Sequence, residues 1–76
     1  MDKKLSELKP GQHAIIRKFE SDGIFLKLME MGCLPGEKII LEKIAPLGGP
    51  ISVNISGYSL SLRKSEANQI LVELIN

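Results

Sequence analysis

His13, Met29, Met31 and Cys33 carry the imidazole, thioether and thiol groups that a soft or borderline metal ion selects. Their spacing argues against a shared ion. Each residue advances about 100° around a helix, so Met29 and Met31 would point about 160° apart and could not meet at one centre from a regular helix. Packing explains both methionines better, and Cys33, just beyond a helix end, reads as a small buried hydrophobe. A helix end can alter thiol reactivity, yet no base accompanies Cys33 as a nucleophile would require. His13 stands on a strand with no second titratable group placed beside it, so it reads as a surface or edge residue. Ser52, Ser56, Ser59 and Ser61 fall on the solvated side of a hairpin. Gly48-Gly49 and Gly57 lack the Gly-Lys-Ser/Thr ending of a phosphate cradle, and the acidic residues are dispersed rather than paired. The chain is therefore read as a non-enzyme, with no catalytic residue, metal ligand or cofactor assigned.

Recognition by contact is better provided for. Leu26 falls among Asp22, Lys27 and Glu30 on the outward arc of a helix, an apolar anchor with a charged rim. The segment Pro46-Leu47-Gly48-Gly49-Pro50 is a proline-framed turn that presents Leu47 with little conformational freedom left to lose on binding. Leu26, Lys27, Glu30, Pro46 and Leu47 are the expected partner-binding residues.

The elements that position them follow from periodicity. Leu5-Ser6-Glu7-Leu8 forms an apolar clip before the Pro10-Gly11 turn, and a strand follows from His13 to Phe19. On that strand Ala14, Ile16 and Lys18 face one way and His13, Ile15, Arg17 and Phe19 the other. Neither face is purely apolar, as at a sheet edge. Ser21-Asp22-Gly23 offers side-chain oxygens to cap a helix over about Asp22 to Met31, which directs Ile24, Phe25, Leu28, Met29 and Met31 inward. Gly32 supplies the left-handed stop. Glu37 to Ile44 is a second strand whose Ile39-Ile40-Leu41 run leaves its facing open between a bulge and burial on both sides. Pro46 to Pro50 is an interstrand loop. Ile51, Val53 and Ile55, then Tyr58, Leu60 and Leu62, alternate with serines, asparagine and arginine in a hairpin turning at Gly57. Lys64 to Gln69 has room for one helical turn capped by Ser65, and Ile70 to Ile75 is a last strand.

Five strands and one helix in 76 residues predict a single domain over residues 1–76, all-β: a small, partly open barrel with the helix between the first two main strands. The 43% hydrophobic content is largely committed to a core in a chain this short. Ten basic and nine acidic residues, interspersed, leave a net charge of +1, and three dispersed aromatics build no stacking platform, so nucleic acid is not an expected partner. No apolar run approaches the roughly 18 residues of a spanning helix, so direct membrane insertion is not expected either. One cysteine and no leader-like opening point to the cytoplasm. Open barrel edges allow pairing with another copy.

Four blocks in order, Lys27-Leu28-Met29-Glu30-Met31-Gly32 with Pro35-Gly36, Ala45-Pro46-Leu47-Gly48-Gly49-Pro50, Gly57-Tyr58-Ser59-Leu60-Ser61-Leu62-Arg63 and Glu66-Ala67-Asn68-Gln69-Ile70-Leu71-Val72, resemble the FeoA family, ferrous iron transport protein A. The opening Leu5 to Gly11 is similar to the family's start. The resemblance implies an SH3-like barrel and a small cytosolic accessory to FeoB, the membrane protein that imports ferrous iron and carries a cytosolic guanine-nucleotide-binding domain. It brings no catalytic residues. Cys33 stands where the family usually has an aliphatic residue. Similar domains end metal-dependent repressors of the diphtheria toxin repressor type, which keeps an Fe²⁺- or Mn²⁺-binding carrier or sensor as the alternative. With no helix-turn-helix pattern and Met1 at the start, a stand-alone accessory is the preferred expectation.

Overall fold

Alternating apolar residues over most of the chain need a sheet that can bury one face on itself, and the computed structural model, which describes residues 2–75, has that form. Its strands are β1 (Asp2–Lys4), β2 (His13–Phe19), β3 (Lys38–Ile44), β4 (Ile51–Ile55), β5 (Tyr58–Leu62) and β6 (Ile70–Leu74). They form one six-stranded antiparallel sheet in the order β1-β6-β2-β3-β4-β5. Helix α1 (Asp22–Glu30) lies between β2 and β3, and the short helix α2 (Lys64–Ala67) between β5 and β6. The Leu5–Glu7 clip is a 3₁₀ turn whose Leu5, with Leu8, is buried, and the Ser6 hydroxyl bonds the Asn68 side chain beside α2.

The sixth strand is an addition to the five expected. Asp2, Lys3 and Lys4 are all exposed and carry no alternation; they become a strand because β6 offers them its outer edge. Nor is β2 an edge strand, since it lies between β6 and β3. Its mixed faces come from a bulge: Ile16 pairs with Val72 but Lys18 with Leu71, so Arg17 is an extra residue. Ala14 and Ile16 are buried before it, Lys18 turns outward after it, and Phe19, opposite buried Ile70, packs on the core. One inserted residue reverses the phase of the alternation. A second bulge at Glu42, between the Leu41–Val53 and Lys43–Ser52 pairs, answers the question left at β3, where Ile39 and Leu41 are buried and Ile40 half-buried.

The core joins Ala14, Ile16, Ile39, Leu41, Val53, Leu62, Ile70 and Val72 from the sheet to Leu28, the one fully buried side chain of α1 among the described residues. The expected inward arc is thus narrower than predicted. Ile24 and Met31 are half-buried and pack on the core with Leu28, while Phe25 and Met29, flanking that line, remain 36% and 37% exposed. Phe25 instead tilts against Phe19, ring centroids 5.4 Å apart. At the head of α1 the Ser21 hydroxyl reaches Gln69 rather than capping the helix, and the role expected of the Asp22 side chain lies outside the described residues. Tyr58, expected on the apolar face of its hairpin, is 74% exposed at the start of the sheet's outer strand.

Candidate partner-docking surface

The outward face of α1 is set by how the helix stops. Gly32 adopts φ 91°, which lets its N–H donate to the Met29 carbonyl (3.0 Å) and the Cys33 N–H to the Leu28 carbonyl (2.9 Å). This pair of bonds is the Schellman stop, and the residue it folds back is normally apolar. Cys33 and Leu28, both fully buried, fill that role. Burial pushes the Cys33 thiol up to about 11, the negative charge of Glu66 adding to the effect, so at neutral pH it is a protonated core residue. Leu26, 69% exposed, and exposed Lys27 and Glu30 are left on the surface as expected.

Lys27 is not idle there. Its Nζ lies 2.6 Å from Glu66 Oε2, and the other oxygen of that carboxylate accepts the Arg63 N–H at 2.9 Å. The Lys27 ammonium and the Arg63 amide hold the Glu66 carboxyl below its usual range despite burial of its side chain to 9% exposure. Glu66 therefore does the capping assigned to Ser65, and α2 starts two residues earlier than that cap would place it, with Arg63 as its N-cap.

The second segment is the β3–β4 hairpin. The Ala45 N–H bonds the Pro50 carbonyl (3.0 Å) and the Gly49 N–H the Pro46 carbonyl (3.2 Å), closing a two-residue turn on Leu47 and Gly48. Both central residues have positive φ, 59° and 74°, as the mirror-image turns of tight hairpins require. A bulky residue in that region is a genuine outlier. Leu47 nevertheless occupies it, wholly exposed, with Pro46 exposed beside it. Gly49 fits because a Cβ there would meet the Ala45 Cβ at 2.8 Å.

Among the described residues no hydrogen bond or ion pair joins the α1 residues to the Leu47 turn directly. The α2 region touches both: Glu66 holds Lys27, while Arg63, Lys64 and Ser65 line one cleft with Gly48, Gly49 and Pro50. From sequence, Lys64 to Gln69 shows only room for one helical turn, since the ion pair of Glu66 is with a lysine distant in the chain. His13 is half-buried beside Gln12 and Ile75, and no group of three or more His, Cys, Asp or Glu converges among the described residues. No helix of the described residues is long and apolar enough to cross a membrane.

With this geometry in place, comparison with known proteins is decisive: residues 3–74 match the FeoA domain family. The chain belongs to that family. It is 42% identical over 74 residues to a Fe(2+) transport protein A/Fe(2+) transporter FeoB fusion protein of Porphyromonas gingivalis, covering 96% of this chain but only 9% of the fusion. The solution structure of iron(II) transport protein A from Clostridium thermocellum, 44% identical, superposes with a TM-score of 0.88 over 96% of this chain and 46% of that one. The zinc-complexed FeoA of Stenotrophomonas maltophilia, a procaryotic SH3 domain protein, is 29% identical with a TM-score of 0.77 over 96% and 89% of the two chains. The barrel is accordingly SH3-like, and the family ties the chain to ferrous iron transport.

Proposed function

We propose that this chain, a single domain over residues 1–76, is a non-enzymatic cytoplasmic accessory of ferrous iron uptake that binds the cytosolic part of a FeoB-type membrane transporter. One observation carries the reading: a relative 42% identical over 74 residues is joined in one polypeptide to a FeoB transporter. Tethering raises the effective concentration of two modules for each other, which profits only modules that act on one another. The exposed residues Leu26, Lys27, Glu30, Pro46 and Leu47 are the surface offered to that partner. Pull-down of the FeoB cytosolic domain and of detergent-solubilised full-length FeoB by the folded chain tests it; retention of neither rejects the role. The outer edges of β1 and β5 give a second copy a place to pair, and light scattering measures whether it does.

The zinc complex of the Stenotrophomonas relative favours a second reading, an Fe²⁺ or Mn²⁺ carrier or sensor. Its difficulty is Cys33, whose buried thiol would have to shed a proton held up to about 11. Anaerobic calorimetry separates the two readings: tight one-to-one binding lost in Cys33→Ala supports the carrier, and heat of dilution alone dismisses it.

A further inference from the structure

The Leu47 turn and the start of α2 have features that their structural duties do not use. Arg63 and Lys64 are exposed, and among the described residues neither enters an ion pair, those present being Arg17–Glu73 and Lys27–Glu66; the Arg63 charge helps keep Glu66 ionised from a distance, and its guanidinium stays open to solvent. Just beyond the last β4–β5 pair, Ile51–Leu62, the chain brings Pro50 and Arg63 side by side, so the cations flank the hairpin carrying Leu47. Leu47 itself buries nothing within its own fold and sits at φ 59°, a conformation that glycine or asparagine would take more cheaply. Strain at an exposed apolar residue calls for a use outside the fold.

We infer that Leu47, Arg63 and Lys64 form one docking element for an acidic segment of a partner protein, with Leu47 inserted into an apolar recess and the two cations on surrounding carboxylates. Charge complementarity selects this occupant: the cleft lined by Gly48–Pro50 and Arg63–Ser65 has two cations and no carboxylate on its walls. A second copy of the chain fits less well, having no acidic surplus to offer against a net charge of +1. The cations would steer encounter and set salt dependence; the leucine would set the dissociation rate. The inference rests on the FeoB reading for the partner's identity, but not for the location or chemistry of the surface.

The experiment titrates the full chain, R63E/K64E and L47N against full-length FeoB in detergent at two salt concentrations, with melting curves for each variant. The charge reversal is expected to weaken binding at least tenfold and flatten its salt dependence. L47N is expected to weaken binding at least tenfold with the salt dependence kept, while its melting temperature rises by about 5 °C as the strain is relieved. Wild-type binding that neither variant disturbs overturns the inference and leaves the FeoB reading standing. Failure of the wild type to bind overturns the FeoB reading, and hexaglutamate at low salt then judges the surface alone. Amide NMR shifts gathered at Leu47–Gly49 and Arg63–Ser65 support it. Shifts absent or elsewhere, or tighter binding of a DNA oligonucleotide at the same cleft, overturn it.

Discussion

The molecule contains two tight hairpin turns of nearly the same backbone and opposite character. At the β4–β5 turn Ser56 and Gly57 take φ 52° and 89°, and the Asn54 side chain accepts the Gly57 N–H at 3.2 Å, so a small polar residue and a side-chain brace serve the turn. At the β3–β4 turn Leu47 and Gly48 take φ 59° and 74° with backbone bonds and flanking prolines alone. The helix stop sharpens the contrast. Its positive-φ Gly32 folds an apolar residue, Cys33, completely into the core, whereas the β3–β4 turn leaves its apolar residue wholly in water. A residue that neither suits its backbone nor fills the core is best explained by what it meets outside.

The largest expected effect breaks the ground beside the first hairpin and spares the second. Glu66→Ala removes the carboxylate that accepts both the Arg63 N–H and the Lys27 ammonium, costing about 1.5–3 kcal/mol by chemical denaturation, the scale of hydrogen bonds to a charged group. Because Arg63 borders the Leu47 cleft, amide exchange should quicken at Gly48 and Gly49 and hold steady at Ser56 and Gly57. Acid should reproduce the loss in the wild type. Glu66 is held below its ordinary 4.5, so its stabilising charge is intact above that pH and is lost as pH falls through the lower folded value. Glu66→Gln should flatten that limb of the stability curve.

The barrel was legible in the sequence to the extent that alternation survives uninterrupted. Ile51, Val53 and Ile55 read correctly because nothing breaks their phase. His13 to Phe19 misled because a bulge at Arg17 leaves no mark in composition, and a strand that changes face midway looks like an edge. Asp2–Lys4 could not be read, since its pairing is a property of β6. For the proposed docking surface, the exposure of Leu26 and Leu47 was visible, from helical phase and turn chemistry respectively. The partnership of Lys27 with Glu66 and the placing of Arg63 and Lys64 beside the hairpin were not, because tertiary contact alone brings those segments together.

A smaller effect separates stability from binding. Asparagine tolerates the left-handed region better than leucine or serine, so Leu47→Asn and Ser56→Asn should each stabilise the fold by about 1 kcal/mol. Their agreement in thermal melts would show that the two backbones are equally costly. Only the first should weaken FeoB retention. Equal binding by both variants would mean that Leu47 is tolerated there without use.

The smallest effect concerns the brace. Asn54→Ala removes the side-chain acceptor of the Gly57 N–H, a 3.2 Å bond exposed to water, so solvent replaces most of it and the loss should be about 0.5 kcal/mol. The first hairpin has no comparable bond among the described residues, its turn being closed by the Ala45 and Gly49 amides on backbone carbonyls. If bracing matters little, the β4–β5 turn stays ordered in Asn54→Ala, with Ser56 and Gly57 amides exchanging only slightly faster. A collapse of protection along Tyr58–Leu62 would instead show that the second turn depends on its side chain. The first, lacking one, would then owe its shape to Pro46 and Pro50, and Pro46→Ala should loosen Leu47 and weaken partner binding without touching a contact residue's charge.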